Sequence, residues 1–334
     1  MRMRYACTML VLTVIFGVPV VAQKTPDDKP KPAKVSAATL QSKCDAGQAS
    51  ACFDLGKIYR DGKGVAKDVT KAVNLFGRAC DGSLAEACEH VGWLYEAGKE
   101  VGKDEARAAG YYARAVALWE AGCESQDLKQ CVSLGDHYNY FKNDKPKAAA
   151  AYGKACVAGM LAVCIKQGRV LEFMGTEEGY KLAVDSFRRA CDGGETEACG
   201  DVGAMIQRGW GVSQDLALAA RLFVNGCESG KGIWENWCTR AGVMYARGEG
   251  VPQNSRTAFD LFKRGCESKE PYAAACVNLA GYYEEGEIVP KDLEKARKLY
   301  AIGCADEYGI LKKLACEKLK ELSSLEPKVK GAEK

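Results

Sequence analysis

Sixteen of the 17 cysteines in this 334-residue chain fall into eight pairs that recur along its whole length. Cys44/Cys52, Cys80/Cys88, Cys123/Cys131, Cys156/Cys164 and Cys191/Cys199 are each eight residues apart. Cys227/Cys238, Cys266/Cys276 and Cys304/Cys316 follow with slightly longer gaps. An apolar pattern of helical spacing runs into the first cysteine of each pair, and another leaves the second. A chain of this kind folds as an array in which each unit packs only on its neighbours. Bonding within each close pair uses all sixteen cysteines. A competing scheme joins Cys52 to Cys80, Cys88 to Cys123 and so on across each hairpin. Antiparallel helices would bring those ends together, but Cys44 and Cys316 would be stranded, so parity favours the close pairs.

The unit from Ala51 to Cys80 (ACFDLGKIYRDGKGVAKDVTKAVNLFGRAC) reads as two helices around a Gly-rich turn. Cys52, Leu55 and Tyr59 share a face of the first helix, with Gly56 beside them. A residue as small as Gly56 lets two helices approach closely. Gly62 and Gly64 break the helix, and Asp68 is placed to cap the next, whose apolar face holds Ala72, Leu75, Phe76 and Ala79. Tyr59, Tyr95, Tyr138, Tyr245 and Tyr283 occupy one repeat position and are expected in the core.

Three units depart from this pattern. The second has seven extra residues before Cys123, about two helical turns, so its second helix is expected to lengthen without changing its face. The third lacks the Gly-rich turn and is expected to form a tighter hairpin. The fourth carries Gln167 and Leu171 where other units have an apolar residue and usually Tyr. Ser36 to Cys44 and Lys312 to Leu325 read as single capping helices. The expected fold is all-α: a right-handed solenoid of about seven disulfide-stapled helix hairpins between two single-helix caps, over residues 39–325.

Residues 1–22 read as a signal peptide. Arg2 and Arg4 precede the apolar run Met9 to Val21, and Val20-Val21-Ala22 suits cleavage before Gln23. The odd cysteine, Cys7, leaves with it. The even remainder then fits an exported compartment, periplasmic or extracellular, where disulfides persist. Residues 23–38 (with Pro26, Pro30 and Pro32) form a disordered spacer, and residues 326–334 a similar tail. No later run is apolar enough to span a membrane. Lys and Arg number 47 and Asp and Glu 44, a balance unlike that of a dedicated nucleic-acid binder.

The Leu55-Gly56-x-x-Tyr59 step, the Gly-x-Gly-Val turns, the Asp-x-x-x-Ala helix starts (Asp68 and Ala72, Asp215 and Ala219) and the cysteine pairs resemble the Sel-one-like repeat family, relatives of the tetratricopeptide repeat. The Ala-Cys-x7-Cys form resembles its secreted, disulfide-rich branch, the Helicobacter cysteine-rich proteins, over residues 44 to 322. The resemblance implies an interaction scaffold that grips a protein or peptide on a concave face lined by first helices. Members of that branch are often named β-lactamases, so it also implies an alternative: weak β-lactam binding or hydrolysis. The residues give that alternative little support. No serine is followed by lysine three positions on, and Lys-Thr-Gly and Ser-Asp-Asn motifs are missing. His90 and His137 are too few for a zinc hydrolase, and no cysteine–histidine metal grouping exists, so neither metal nor cofactor is expected. A nitrocefin assay separates the two readings.

Counted from the second cysteine of each pair, positions two, five and nine lie away from the core-facing positions three and seven. This stripe supplies the candidate binding residues His90, Trp93, Asp136, Tyr140, Lys166, Arg169, Arg208, Arg240 and Arg247. His90 reads as solvated. Trp93 reads equally as an exposed anchor or as partly buried. The later part gathers five cations against Asp201, which suggests an acidic peptide, a carboxylate terminus or an anionic envelope polymer. An ordinary solvated face is the competing reading.

Overall fold

The computed structural model describes residues 36–228, 237–268, 271–307 and 309–324. The expected signal peptide, the spacer as far as residue 35 and the tail 326–334 lie outside them. The chain divides into two compact units, residues 1–82 and 83–334. In the first, α1 (Ala37–Asp45) precedes a hairpin of α2 (Ala49–Asp61) and α3 (Val69–Asp81). The second holds six hairpins. They are α4 (Ala85–Ala97) with α5 (Glu105–Glu124), α6 (Leu128–Asp136) with α7 (Lys145–Val157), and α8 (Leu161–Met174) with α9 (Glu177–Asp192). Then follow α10 (Thr196–Arg208) with α11 (Leu216–Glu228), α12 (Trp237–Arg247) with α13 (Ser255–Cys266), and α14 (Ala273–Glu285) with α15 (Leu293–Ala305). Helix α16 (Lys312–Ser324) closes the array. Among the described residues the fold is therefore all-α: helix hairpins of a solenoid between two single helices.

Within each hairpin the expected face is buried. Leu55, Val91, Leu134, Val202 and Leu279 all lie in the core. The glycine beside them is required by close approach. A Cβ on Gly56 would sit 2.5 Å from Phe76 of the second helix, and one on Gly168 would sit 2.5 Å from Phe187. The fourth unit, with Gln167 at a core position, makes up the loss with a polar partner. The Ser186 hydroxyl, itself buried, donates to Gln167 Oε1 at 3.1 Å. Such a bond removes most of the cost of burying the amide.

The turns explain both the tyrosines and the aspartates. Asp68, Asp104, Asp144, Asn254 and Asp292 each accept a backbone N–H three residues on, capping the second helix. The N–H of each cap residue donates back to the tyrosine carbonyl of its own first helix, for example Asp68 to Tyr59 at 2.9 Å and Asp292 to Tyr283 at 2.9 Å. In four of these five turns the residue three after the cap is a cation that lies over the tyrosine ring; after Asn254 it is Thr257. Lys71 is 4.1 Å from the Tyr59 centroid, Arg107 5.5 Å from Tyr95, Lys147 5.1 Å from Tyr138 and Lys295 4.3 Å from Tyr283. This corrects the expectation of core tyrosines. Tyr283 is buried, but Tyr59, Tyr95, Tyr138 and Tyr245 are half-buried.

Helix α5 has the two extra turns expected, 20 residues against 13 in α3. The third hairpin is also tighter, by a route the sequence does not announce. Helix α6 runs on through a π-helical turn, His137–Phe141, and the left-handed residue supplied elsewhere by glycine is Asn143 (φ 51°). Asparagine tolerates that region better than most side chains.

Seven bridges follow the close-pair scheme: Cys44–Cys52, Cys123–Cys131, Cys156–Cys164, Cys191–Cys199, Cys227–Cys238, Cys266–Cys276 and Cys304–Cys316. Cys80 and Cys88 are also disulfide-bonded. Each of the seven ties the end of one helix to the start of the next, so the staples join successive units. A loop of about nine residues contributes roughly 2–3 kcal/mol in the chain-entropy description.

Candidate functional site: the face of the first helices

The first helices of the second unit present the predicted stripe. His90 and Trp93, one turn apart on α4, stack with ring centroids 5.9 Å apart. Trp93 is 43% exposed, so its indole is available; His90 is half-buried rather than fully solvated. Tyr140 is 71% exposed. Phe173, at the same stripe position on α8, is 76% exposed, and the Lys145 ammonium lies 5.1 Å from its ring centre.

Between these aromatics the charged residues pair across units. Lys166 Nζ reaches Asp136 Oδ1 at 2.8 Å, and the Tyr152 hydroxyl donates to the same oxygen at 2.6 Å. Burial, and then that bond, push the Tyr152 phenol far above the ordinary tyrosine value, so it remains a neutral donor. Arg169 lies 2.7 Å from Glu197 and 3.6 Å from Asp201. Arg208 lies 3.4 Å from Glu172. Arg240 donates to Gln207 Oε1 at 2.9 Å and covers the rings of Phe223 and Trp237. Arg247 lies 3.3 Å from Glu249 in its own turn.

All nine candidate residues thus fall on described first helices or the π-turn, but the cations do not form an unopposed basic groove. Counting three stripe positions omitted the acids that meet them. Glu172 and Glu197 stand on neighbouring registers, and the packing of α8 on α10 brings them to Arg208 and Arg169. The result is a ladder of cross-unit ion pairs, each partly exposed and worth about 0.2–1 kcal/mol. Such links fix the register of one repeat on the next more than they stabilise it.

Sequence reasoning also missed His137. It is buried among Tyr112, Trp119, Tyr138 and Phe141, with Nδ1 2.9 Å from Glu89 Oε1 of α4. Its position, six residues after Cys131, is a core position in other units too, at Leu94, Val170, Met205 and Met244, and a register of positions three and seven alone leaves it out. Among the described residues no group of three or more His, Cys, Asp or Glu could hold a metal ion, and no helix is long and apolar enough to cross a membrane. The face thus carries exposed aromatics set among charges paired across units.

Comparison with known proteins agrees with this construction. No curated protein matches the chain. A protective antigen present in uropathogenic Escherichia coli strains, with an SLR fold, superposes with a TM-score of 0.61 at 25% identity, over 88% of this chain. The chain spans 60% of that protein's length. A Sel1 repeat protein from Oxalobacter formigenes superposes with a TM-score of 0.64 at 21% identity, over 86% of this chain and 80% of that one. The family model of the Sel1 repeat matches residues 49–84, 85–118, 196–231, 238–269 and 273–307, just over half of the chain. Five matched repeats, stapled helix hairpins and the shared solenoid fold lead to one conclusion: the chain belongs to the Sel1 repeat family.

Proposed function

We propose that this Sel1 repeat protein is an interaction scaffold of an oxidising, exported compartment, and that it holds a segment of a partner protein against its first helices. The observation that carries the reading is the series Trp93, Tyr140 and Phe173. Three large aromatics stand exposed at stripe positions of the first helices and the π-turn, with much of each ring left open to solvent. Aromatic anchors surrounded by near-neutral polar contacts are the usual composition of a protein-binding hot spot. The eight cysteine pairs support the compartment, because reduced cytosol would leave such staples open. An acidic partner would have to compete with Glu172 and Glu197 for the cations, so shape and aromatic contact dominate the recognition.

Site-specific photo-crosslinking tests this. A photoreactive residue at position 93, 140 or 173 of the exported chain should trap one and the same partner, and one at Arg256, exposed on second helix α13, should not. The purified partner should then bind W93A/Y140A/F173A at least ten-fold more weakly. Trapping only at Arg256, or unchanged affinity of the triple variant, would remove the first helices as the binding face.

A further inference from the structure

A second, separate feature lies on another part of the array. An open groove of about 660 Å3 runs between the Cys123–Cys131 staple and helix α7. The disulfide, Leu128, Val157, Ala158 and Gly153 give it a mostly apolar lining, and Gln126 and Lys154 add its polar groups. Its volume falls within the range of about 300–1,000 Å3 that small-molecule sites occupy.

The groove carries an exposed apolar side chain where most units carry an acid. The residue after the first cysteine of a pair is acidic at Asp45, Asp81, Glu124, Asp192, Glu228 and Glu267 and small at Ala305, but here it is Val157, and Val157 is 69% exposed. Three residues before that cysteine this unit has Gly153, as the first hairpin has Gly77, where the second, fourth and sixth hairpins carry Glu120, Arg188 and Lys263. Lys154 holds the place of Arg78 in the first hairpin. There the guanidinium is engaged by Asp45 at 3.0 Å and by the Cys44 carbonyl at 3.1 Å. Lys154 makes no ion pair among the described residues, and Glu124, in register with Asp45, does not line the groove. A mostly apolar groove lined by one ammonium outside any ion pair matches a molecule with a hydrocarbon body and an anionic group.

We propose that this groove binds a single-chain carboxylate amphiphile, its hydrocarbon laid over the Cys123–Cys131 disulfide, Leu128 and Val157 and its carboxylate paired with Lys154. Burial of the chain supplies most of the affinity, and the cation selects the head group.

Isothermal titration of the oxidised full chain with dodecanoate tests the assignment. Saturable binding of one equivalent is expected. Each methylene removed should weaken binding by up to about four-fold, so octanoate should bind at least ten-fold more weakly. V157D places at the groove the acid that other units carry at an exposed position, so it should melt like the parent and yet lose at least ten-fold in dodecanoate affinity. K154Q should bring dodecanoate down to the affinity of dodecanol. Absence of saturable binding, an unchanged V157D, or equal affinity for dodecyltrimethylammonium would each overturn the proposal. So would a concentration-dependent dimer, broken by V157D in analytical ultracentrifugation and indifferent to dodecanoate, because a second copy would then be the occupant.

Discussion

Glycine at the fourth position after the second cysteine does the most with the least. At Gly168 a methyl group would stand 2.5 Å from the Phe187 ring, which is fully buried and has nowhere to go. Gly168→Ala is therefore expected to destabilise the chain by about 1–3 kcal/mol in urea unfolding, the usual cost of overpacking. Shortening the ring in the same background, Phe187→Leu, should recover part of that loss although it destabilises the parent. Additive losses would show that the two residues do not meet. The same scale separates what was legible at the candidate face from what was not. Trp93 and Tyr140 could be placed by counting helical registers, because register decides which side chains share a face. The partners of Arg169 and Arg208 could not, because Glu197 and Glu172 reach them across units and no count within one helix contains that distance. His137 was hidden for a different reason: a core register of positions three and seven leaves out position six, which is buried at Leu94, Val170, Met205 and Met244 as well.

At the scale of the element, the hairpin turn is a small machine of three repeated parts. The cap residue closes the second helix with its side chain and the first helix with its backbone N–H. The cation three residues later covers the tyrosine that receives that N–H. Replacing Asp292 by Ala removes the side-chain acceptor for Lys295 N–H, now at 2.8 Å, and should cost about 1 kcal/mol. Replacing Lys295 by Met keeps the stem over Tyr283 but loses the charge, and should cost roughly 0.5–1 kcal/mol. Urea denaturation of both single variants and the double variant would show coupling if the turn works as one piece; strict additivity would contradict it. Helix boundaries, caps and the longer α5 could be read in advance because they depend on neighbours in sequence. The half-exposed tyrosines could not, since the spacing that places a ring on the inner side of a helix does not say how deep it sits.

For the whole molecule, stability is a sum of units and of the links between them. One such link, in the second unit, joins α14 to α16. Burial alone would raise the Glu284 carboxyl, but hydrogen bonds from Lys318 at 2.8 Å and Tyr300 at 2.7 Å outweigh it and hold it below 4.5. A carboxyl depressed on folding contributes its stability above its unfolded value and loses it as the pH falls through its folded value. The link is thus complete above about pH 4.5 and fades below it. Glu284→Gln should lower stability at pH 7 and flatten the acid limb of the stability curve; an acid limb identical to the parent's would contradict the assignment. The largest links are the staples, and they carry the central claim: a chain of helix hairpins, each locked to the next, in a compartment that oxidises cysteine. Peptide mapping by mass spectrometry of the exported protein under non-reducing conditions tests both parts at once. The expected result is every close pair oxidised, with Cys123 joined to Cys131 and Cys156 to Cys164. Free thiols at those positions, or Cys52 joined to Cys80, would contradict it.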